Sequence, residues 1–342
     1  MPRRAEPVNG GRPEAENGGD PEAGVPSSPK RAAVSAAGIG PYPPTVARAF
    51  QLGRGEPAGE GLRRIALGRL DHALAELREG ADRAVAVHEA RKDLKKTRAI
   101  VRLLRARLGT DLYRRESAAF RDTGRSLSGA RDAQVRLDTL DKLVDGGGVD
   151  SDGVAELRRR LEVARDAAAG GEVPDRRAAA ELEQAQVRVR EWSVGGDGWD
   201  AVEAGLRRSY RRGRARMADA ARAPTTDNLH EWRKRVKDLW YHLRILSPAW
   251  PPVVEALAEE AHVLSEQLGD DHDLAVLAAA ARENFDAFAD PGDLDALLAS
   301  VERRRAELQR EAFSLGRRLY VDKSDAFVSR LEAWWSAWRL GA

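Results

Sequence analysis

His88-Glu89-Ala90-Arg91-Lys92-Asp93-Leu94-Lys95-Lys96-Thr97-Arg98 returns later in the chain as His230-Glu231-Trp232-Arg233-Lys234-Arg235-Val236-Lys237-Asp238-Leu239-Trp240. His aligns with His, Glu with Glu, Arg-Lys with Arg-Lys, Leu94 with Val236 and Lys95 with Lys237; further on, Arg102 aligns with Arg244 and Leu104 with Leu246. Neither stretch contains Gly or Pro, so both are read on a helical wheel of about 100° per residue. With His88 at the origin, Arg91, Lys92, Lys95, Arg98 and Arg102 fall within roughly 80° of it, and Leu94, Val101, Leu104 and Leu108 gather opposite. In the second copy His230, Arg233, Lys234, Lys237, Tyr241 and Arg244 share one face, while Trp232, Val236, Leu239, Leu243 and Leu246 share the other. Glu89, Asp93, Glu231 and Asp238 are expected to stay off the cationic face. A helix built only for solubility would set carboxylates at i+4 from its lysines.

The remainder of the composition narrows the possibilities. A chain of 342 residues has ample material for a large core. The absence of cysteine excludes disulfides, thiolate catalysis and cysteine-ligated zinc, and fits a reducing compartment. No apolar run approaches the ~18 residues a membrane span needs, and no apolar segment follows Arg3-Arg4 to make a secretion signal. A cytoplasmic protein that does not enter a membrane is therefore expected. The net charge of +2 is nearly balanced, so any case for a polyanionic partner rests on where charge sits rather than on its sum. Lysine is informative here. Five of the eight lysines (Lys92, Lys95, Lys96, Lys234 and Lys237) lie in the two repeated helices, in a chain that otherwise uses arginine. These helices combine compact ammonium groups with guanidinium forks.

In chain order, residues 1–57 lack hydrophobic anchors and read as a disordered segment, rich in Pro, Gly, Ser and Glu and punctuated by Pro-Tyr-Pro-Pro at 41–44. Helical periodicity follows over 61–79 and over the motif helix at about 84–108, for which Gly109 suits a C-terminal cap. Further helices are expected over about 111–127, 131–145, 153–168 and 176–192. After Gly195-Gly196-Asp197-Gly198 the programme restarts: Leu206-Arg207-Arg208 echoes Leu62-Arg63-Arg64, and a second motif helix spans 226–246, capped by Thr226 or Asp227. Leu268-Gly269-Asp270-Asp271-His272-Asp273 echoes Leu127-Ser128-Gly129-Ala130-Arg131-Asp132, and Arg303-Arg304-Arg305 echoes Arg158-Arg159-Arg160. The last helices fall at about 293–319 and 324–339, with Trp334, Trp335 and Trp338 read as packing residues. No strand-period pattern with hairpin turns occurs. The class is all-α: a duplicated helical unit, with halves at 58–193 and 194–342, forming two bundles related by a pseudo-twofold around a basic channel.

Two matching cationic faces turned towards a common space repel one another, and the arrangement holds only if the space stays wet or an anion fills it. Phosphate suits such a site, because Arg meets its oxygens bidentately and Lys acts as a point charge. Cations at i, i+3/i+4 and i+7 recur every ~5 Å along the helix, a ladder suited to a linear polyphosphate.

The doubled pattern His88-x-x-Arg91-x-x-x-Lys95-x-x-Arg98 and His230-x-x-Arg233-x-x-x-Lys237 with Tyr241, followed by the Arg131-Asp132 and Asp270–Asp273 segments, resembles the CHAD (conserved histidine α-helical domain) family. The resemblance covers residues from about 58 to the C-terminus. It implies two helical bundles around a basic channel that binds inorganic polyphosphate without catalysis, and association with polyphosphate granules as one use of that binding. The residues expected to bind are His88, Arg91, Lys92, Lys95, Arg98, Arg102, His230, Arg233, Lys234, Lys237, Tyr241 and Arg244, with Arg63, Arg64, Arg207, Arg208 and Arg211 as further candidates. Trp240 departs from the pattern, standing where the first copy has Arg98. No Glu-x-Glu-x-Lys motif of a fused triphosphate-tunnel domain is found, so hydrolytic or cyclase activity is not expected to carry over. No catalytic residue, metal ligand or cofactor is expected. Asp132 and Asp273 are read as helix-start caps or salt-bridge partners rather than metal ligands. A nucleic-acid backbone is the alternative ligand for the same faces, disfavoured because Tyr241 is their one residue for stacking.

Overall fold

The computed structural model describes residues 50–127, 129–169, 173–195 and 198–341, and among these eleven α-helices and no strand are found. The helices are α1 (Ala58–Glu79), α2 (Arg83–Leu103), α3 (Arg105–Ser126), α4 (Gly129–Asp145), α5 (Ala155–Ala169), α6 (Val173–Arg190), α7 (Glu203–Arg222), α8 (Thr226–Leu246), α9 (Pro251–Glu283), α10 (Pro291–Leu319) and α11 (Ser324–Leu340). The all-α expectation holds. The motif helices are α2 and α8.

Local chemistry fixes where the motif helices begin. The Asp82 carboxylate accepts from the amides of Ala84 (2.8 Å) and Val85 (3.1 Å), neutralising orphan donors at the start of α2. Thr225, one residue before the expected cap, does the same for α8 through the amide of Asn228 at 3.2 Å. The first motif helix ends at Leu103, earlier than expected, and a short helical turn follows before Gly109 reverses the chain at φ 73°. That backbone conformation is open to glycine at little cost.

Six helices of the first repeat are answered by five in the second. α3 and α4 are separate, whereas their counterpart α9 runs unbroken for 33 residues through Leu268–Asp273. The echo of the α3–α4 junction therefore lies mid-helix, and the reading of Asp273 as a helix-start cap is corrected. Intact hydrogen bonding on both sides leaves no orphan amide there to cap.

The hydrophobic interior forms two clusters that do not follow the repeat boundary. The larger joins α1, α2, α3, α6, α7, α8 and α11 with the first half of α9 and the end of α10; the smaller joins α4 and α5 with the second half of α9 and α10 as far as Leu308. The described residues all belong to one compact unit. Its core starts inside the segment expected to be disordered. Phe50 is 3 % exposed, meets Tyr241 edge-on at 6.1 Å, and is followed by Leu52, whose amide bonds to the Ile245 carbonyl at 3.1 Å. Two apolar side chains suffice to anchor residues 50–52, which the polar composition around them conceals; the rest of the expected disordered segment, residues 1–49, lies outside the described residues.

Candidate functional site

α2 and α8 turn their cationic faces into one cavity of about 760 Å³, closed by α4 and α9. Its walls carry His88, Arg91, Lys95, Arg98 and Arg102 from α2, and His230, Arg233, Lys234, Arg235, Lys237, Asp238 and Tyr241 from α8. α4 adds Asp132, Val135, Arg136 and Lys142, and α9 adds Glu266, Asp270, His272, Asp273 and Val276. Ten Lys and Arg face five carboxylates, an excess of five positive charges with the histidines neutral. An overall charge of +2 thus hides a strongly polarised interior.

Lys95 and Lys237 define the centre. Burial is the main cause that lowers the Lys95 pKa to about 7, helped by Lys237, Arg91 and Arg233 and opposed by Asp132. Burial also lowers Lys237 to about 8, with Arg233 acting in the same direction and Glu266 and Asp273 against it. Lys95 nonetheless keeps more than a third of its surface open to water. The two facts are compatible in a hollow: protein surrounds the ammonium group, yet the cavity admits solvent. Arg98 is likewise pushed down to about 10 by burial and then by Arg102. In all three, burial together with neighbouring cations outweighs the carboxylates within reach.

The two arginines at equivalent positions are held alike. Arg91 donates to the Leu127 carbonyl at 3.4 Å and to Asp132, also at 3.4 Å; Arg233 donates from Nε to the Ser265 carbonyl at 3.3 Å. Gly269 makes the second arrangement possible, because a Cβ there would come within 2.6 Å of the Arg233 guanidinium. His230 stacks on His272 with ring centroids 4.1 Å apart. Burial, then His272, Lys234 and Arg233, drive the His230 pKa down to about 4, so at neutral pH it offers a neutral ring. His88 lines the same wall from α2.

Several expected residues are elsewhere. Lys92 binds Glu89 at 2.8 Å and does not line the cavity; Arg244 lies over the rings of Phe50 (5.5 Å) and Trp240 (5.7 Å). Arg63 donates to the carbonyls of Arg190 and Trp192, and Arg64 to Glu56. Arg207 pairs with Glu203 and Asp325, Arg211 is exposed, and Arg208 sits outside the cavity wall. Tyr241 does line it but is only 4 % exposed, so its ring is committed to packing. The wheel fails for these groups because it assigns direction without knowing which neighbour captures a long side chain.

The acidic residues also correct the reading. Glu89, Glu231 and Asp93 bind Lys92, Lys234 and Lys96 at i+3, so the motif helices do carry neutralising pairs of their own; Lys237 instead meets Glu266 of α9 at 3.9 Å. Asp238 is not off the face at all. It lines the cavity and joins Arg102 (2.9 Å) to Arg235 (2.9 Å), tying one motif helix to the other. In α9, Asp270 meets Lys142 at 3.6 Å, Asp271 is buried against Arg305 (3.1 Å) and Gln309 (2.7 Å), and Asp273 reaches the cavity with its pKa raised by burial. Among the described residues no group of three or more His, Cys, Asp or Glu is placed to hold a metal ion. Neither arginine triplet lines the cavity. The side chain of Arg131 lies outside the described residues.

Four wall residues with basic side chains were not expected: Arg136, Lys142, Arg235 and His272. Lys142 gave a signal, as one of only three lysines beyond the two motif helices. Arg136 and His272 depend on how α4 and α9 pack, which the repeat alone does not encode, and Arg235 of α8 is held at the wall by Asp238.

Comparison with known proteins agrees with this architecture. A crystal structure of the CHAD domain from the plant Ricinus communis superposes with a TM-score of 0.54 at 17 % identity, covering 83 % of this chain and 97 % of that one. No match is found among curated proteins. The CHAD domain family model matches residues 64–282, a span that contains both motif helices and every residue of the cavity wall. The chain belongs to the CHAD domain family.

Proposed function

We propose that the cavity binds inorganic polyphosphate and performs no chemistry on it. One observation carries the reading: Lys95 and Lys237 share the wall of a water-accessible cavity whose lining carries five more positive than negative side chains, even with Glu266 beside Lys237 at 3.9 Å. Confining like charges is unfavourable, and a chain of phosphates supplies the missing counter-charge at close spacing. Lys95, Lys237, Arg91, Arg233 and Arg98 hold the anion directly; Asp238 fixes the spacing of the two helices that present them. His230 and His272, both neutral, contribute ring N–H donors rather than charge. Release of counterions drives binding, so affinity falls steeply with salt. Binding takes place in the cytoplasm, where polyphosphate granules offer the ligand in bulk.

The Lys95→Glu/Lys237→Glu protein is expected to lose long-chain polyphosphate binding, by 100-fold or more, while its far-UV circular dichroism stays helical. Unchanged binding in that variant refutes the site. Single-stranded DNA and tRNA serve as competitors: with Tyr241 packed away the wall offers no free ring for base stacking, and either nucleic acid outcompeting polyphosphate at equal phosphate concentration would replace this reading.

A further inference from the structure

The cavity does not end the cationic surface. At Gly205, α7 packs against the last turn of α2 so closely that a Cβ would fall inside the Leu103 backbone. On a helix, residues 205, 208 and 212 share one face. The face that meets α2 therefore carries Arg208 and Arg212 towards Arg98 and Arg102, the pair at the same end of the cavity wall. The neighbours agree. Arg212 lies within electrostatic reach of Arg235, Arg208 and Asp238, and Arg98 within reach of Arg102, Asp238, Arg235 and Arg121 of α3.

Surface arginines of this chain commonly pair with carboxylates. Among the described residues, neither Arg98, Arg208 nor Arg212 has a carboxylate at salt-bridge distance, and the Nε atoms of Arg98 and Arg208 are buried without a hydrogen-bond acceptor. Buried guanidinium nitrogens left without acceptors are costly unless something else accepts from them. Asp238, the carboxylate within electrostatic reach of both Arg98 and Arg212, is already shared between Arg102 and Arg235.

We infer that Arg208 and Arg212 of α7, with Arg98 of α2, form a second anion-binding station continuous with the cavity, which takes the part of a phosphate chain that emerges from it. The inference rests on the polyphosphate reading above and adds a consequence that reading lacks: the protein measures chain length. A short oligophosphate fills the central site around Lys95 and Lys237; a long chain also crosses the α7 station and gains its contacts.

The test uses the full chain, titrated with tripolyphosphate and with long-chain polyphosphate at two salt concentrations. In the Arg208→Gln/Arg212→Gln protein, tripolyphosphate affinity is expected to stay within about twofold of the parent. Long-chain affinity is expected to fall about tenfold, with the salt slope reduced by about 1.4 for two lost cations. A variant that binds both ligands like the parent overturns the inference and leaves the central site standing. Equal loss of both also overturns it, since the station would then not be separate; circular dichroism and thermal melting show whether that loss is one of folding. A parent protein that binds neither ligand overturns the polyphosphate reading together with this one.

Discussion

Polyphosphate binding should carry a proton uptake that can be worked out from two side chains. In the empty cavity Lys95 has a pKa of about 7 and Lys237 of about 8, against 10.5 for an ordinary lysine. A bound phosphate chain supplies negative charge to both and draws them back towards that value. Below pH 6.5 both ammonium groups are already charged and binding takes up nothing. As pH rises through 7 and then 8, the free protein loses these protons, and binding must recover them, so affinity falls. Were both groups fully restored on binding, the loss between pH 6.5 and 9 would reach about 10³, at one decade per pH unit for each group above its pKa. Solvent in the cavity reduces this, because Lys95 keeps more than a third of its surface in water, and we expect a loss of about 30- to 100-fold. His230, on the same wall, is neutral throughout this window. Calorimetry at pH 8 in buffers of differing ionisation enthalpy should count roughly one proton taken up per protein. The Lys95→Arg/Lys237→Arg protein should bind with a flat profile from pH 6.5 to 9. A flat profile in the parent, or the same slope in the arginine variant, would refute the reasoning.

Lys92→Gln should change polyphosphate affinity by less than about threefold in the same titration, because Lys92 is held by Glu89 outside the cavity wall; a loss matching that of Lys95→Gln would move the site. Asp93 is 1 % exposed beneath His72 (2.6 Å), Lys96 (2.7 Å) and Arg69 (3.5 Å), so Asp93→Asn should cost about 3 kcal/mol in denaturant unfolding by stranding those cations. The same cluster sets a pH dependence. Its hydrogen bond to Asp93 raises the His72 pKa, so that contribution is complete below the ordinary histidine pKa and is lost as pH rises through the elevated one, which melting curves between pH 6 and 9 would show. Gly205→Ala should destabilise by about 3 kcal/mol despite alanine's better helix propensity, because the methyl group meets the Leu103 main chain; a stabilised variant would mean that α7 and α2 do not approach as described.

The sequence disclosed the motif helices because duplication doubled a weak signal. One run of cations on a helix face is common, but His88, Arg91 and Lys95 matched in order by His230, Arg233 and Lys237 is not explained by solvation alone. It disclosed the starts of both motif helices to within a residue, at about 84 against Arg83 and at Thr226, but not the Asp82 cap nor the early end of the first at Leu103. It did not disclose which long side chains would be captured on the way to the cavity. Lys92 and Lys95 are neighbours on the wheel, yet Glu89 takes one and leaves the other. Nor could periodicity foresee that Asp238 would face inward, since its placement is fixed by Arg102 of the other repeat. The contributions of α4 and α9 were hidden for the same reason: Arg136, Lys142 and His272 enter the wall through tertiary packing, not through any resemblance to the motif.

The uninterrupted α9 has a mechanical meaning. Its first half is embedded in the larger core and its second half in the smaller one, so a single hydrogen-bonded rod spans both. The Pro291–Leu319 helix α10 likewise reaches from the smaller core into the larger. Bending such a rod breaks its internal bonds, so these two helices act as beams that hold the cores, and with them the cavity wall between, at a fixed separation.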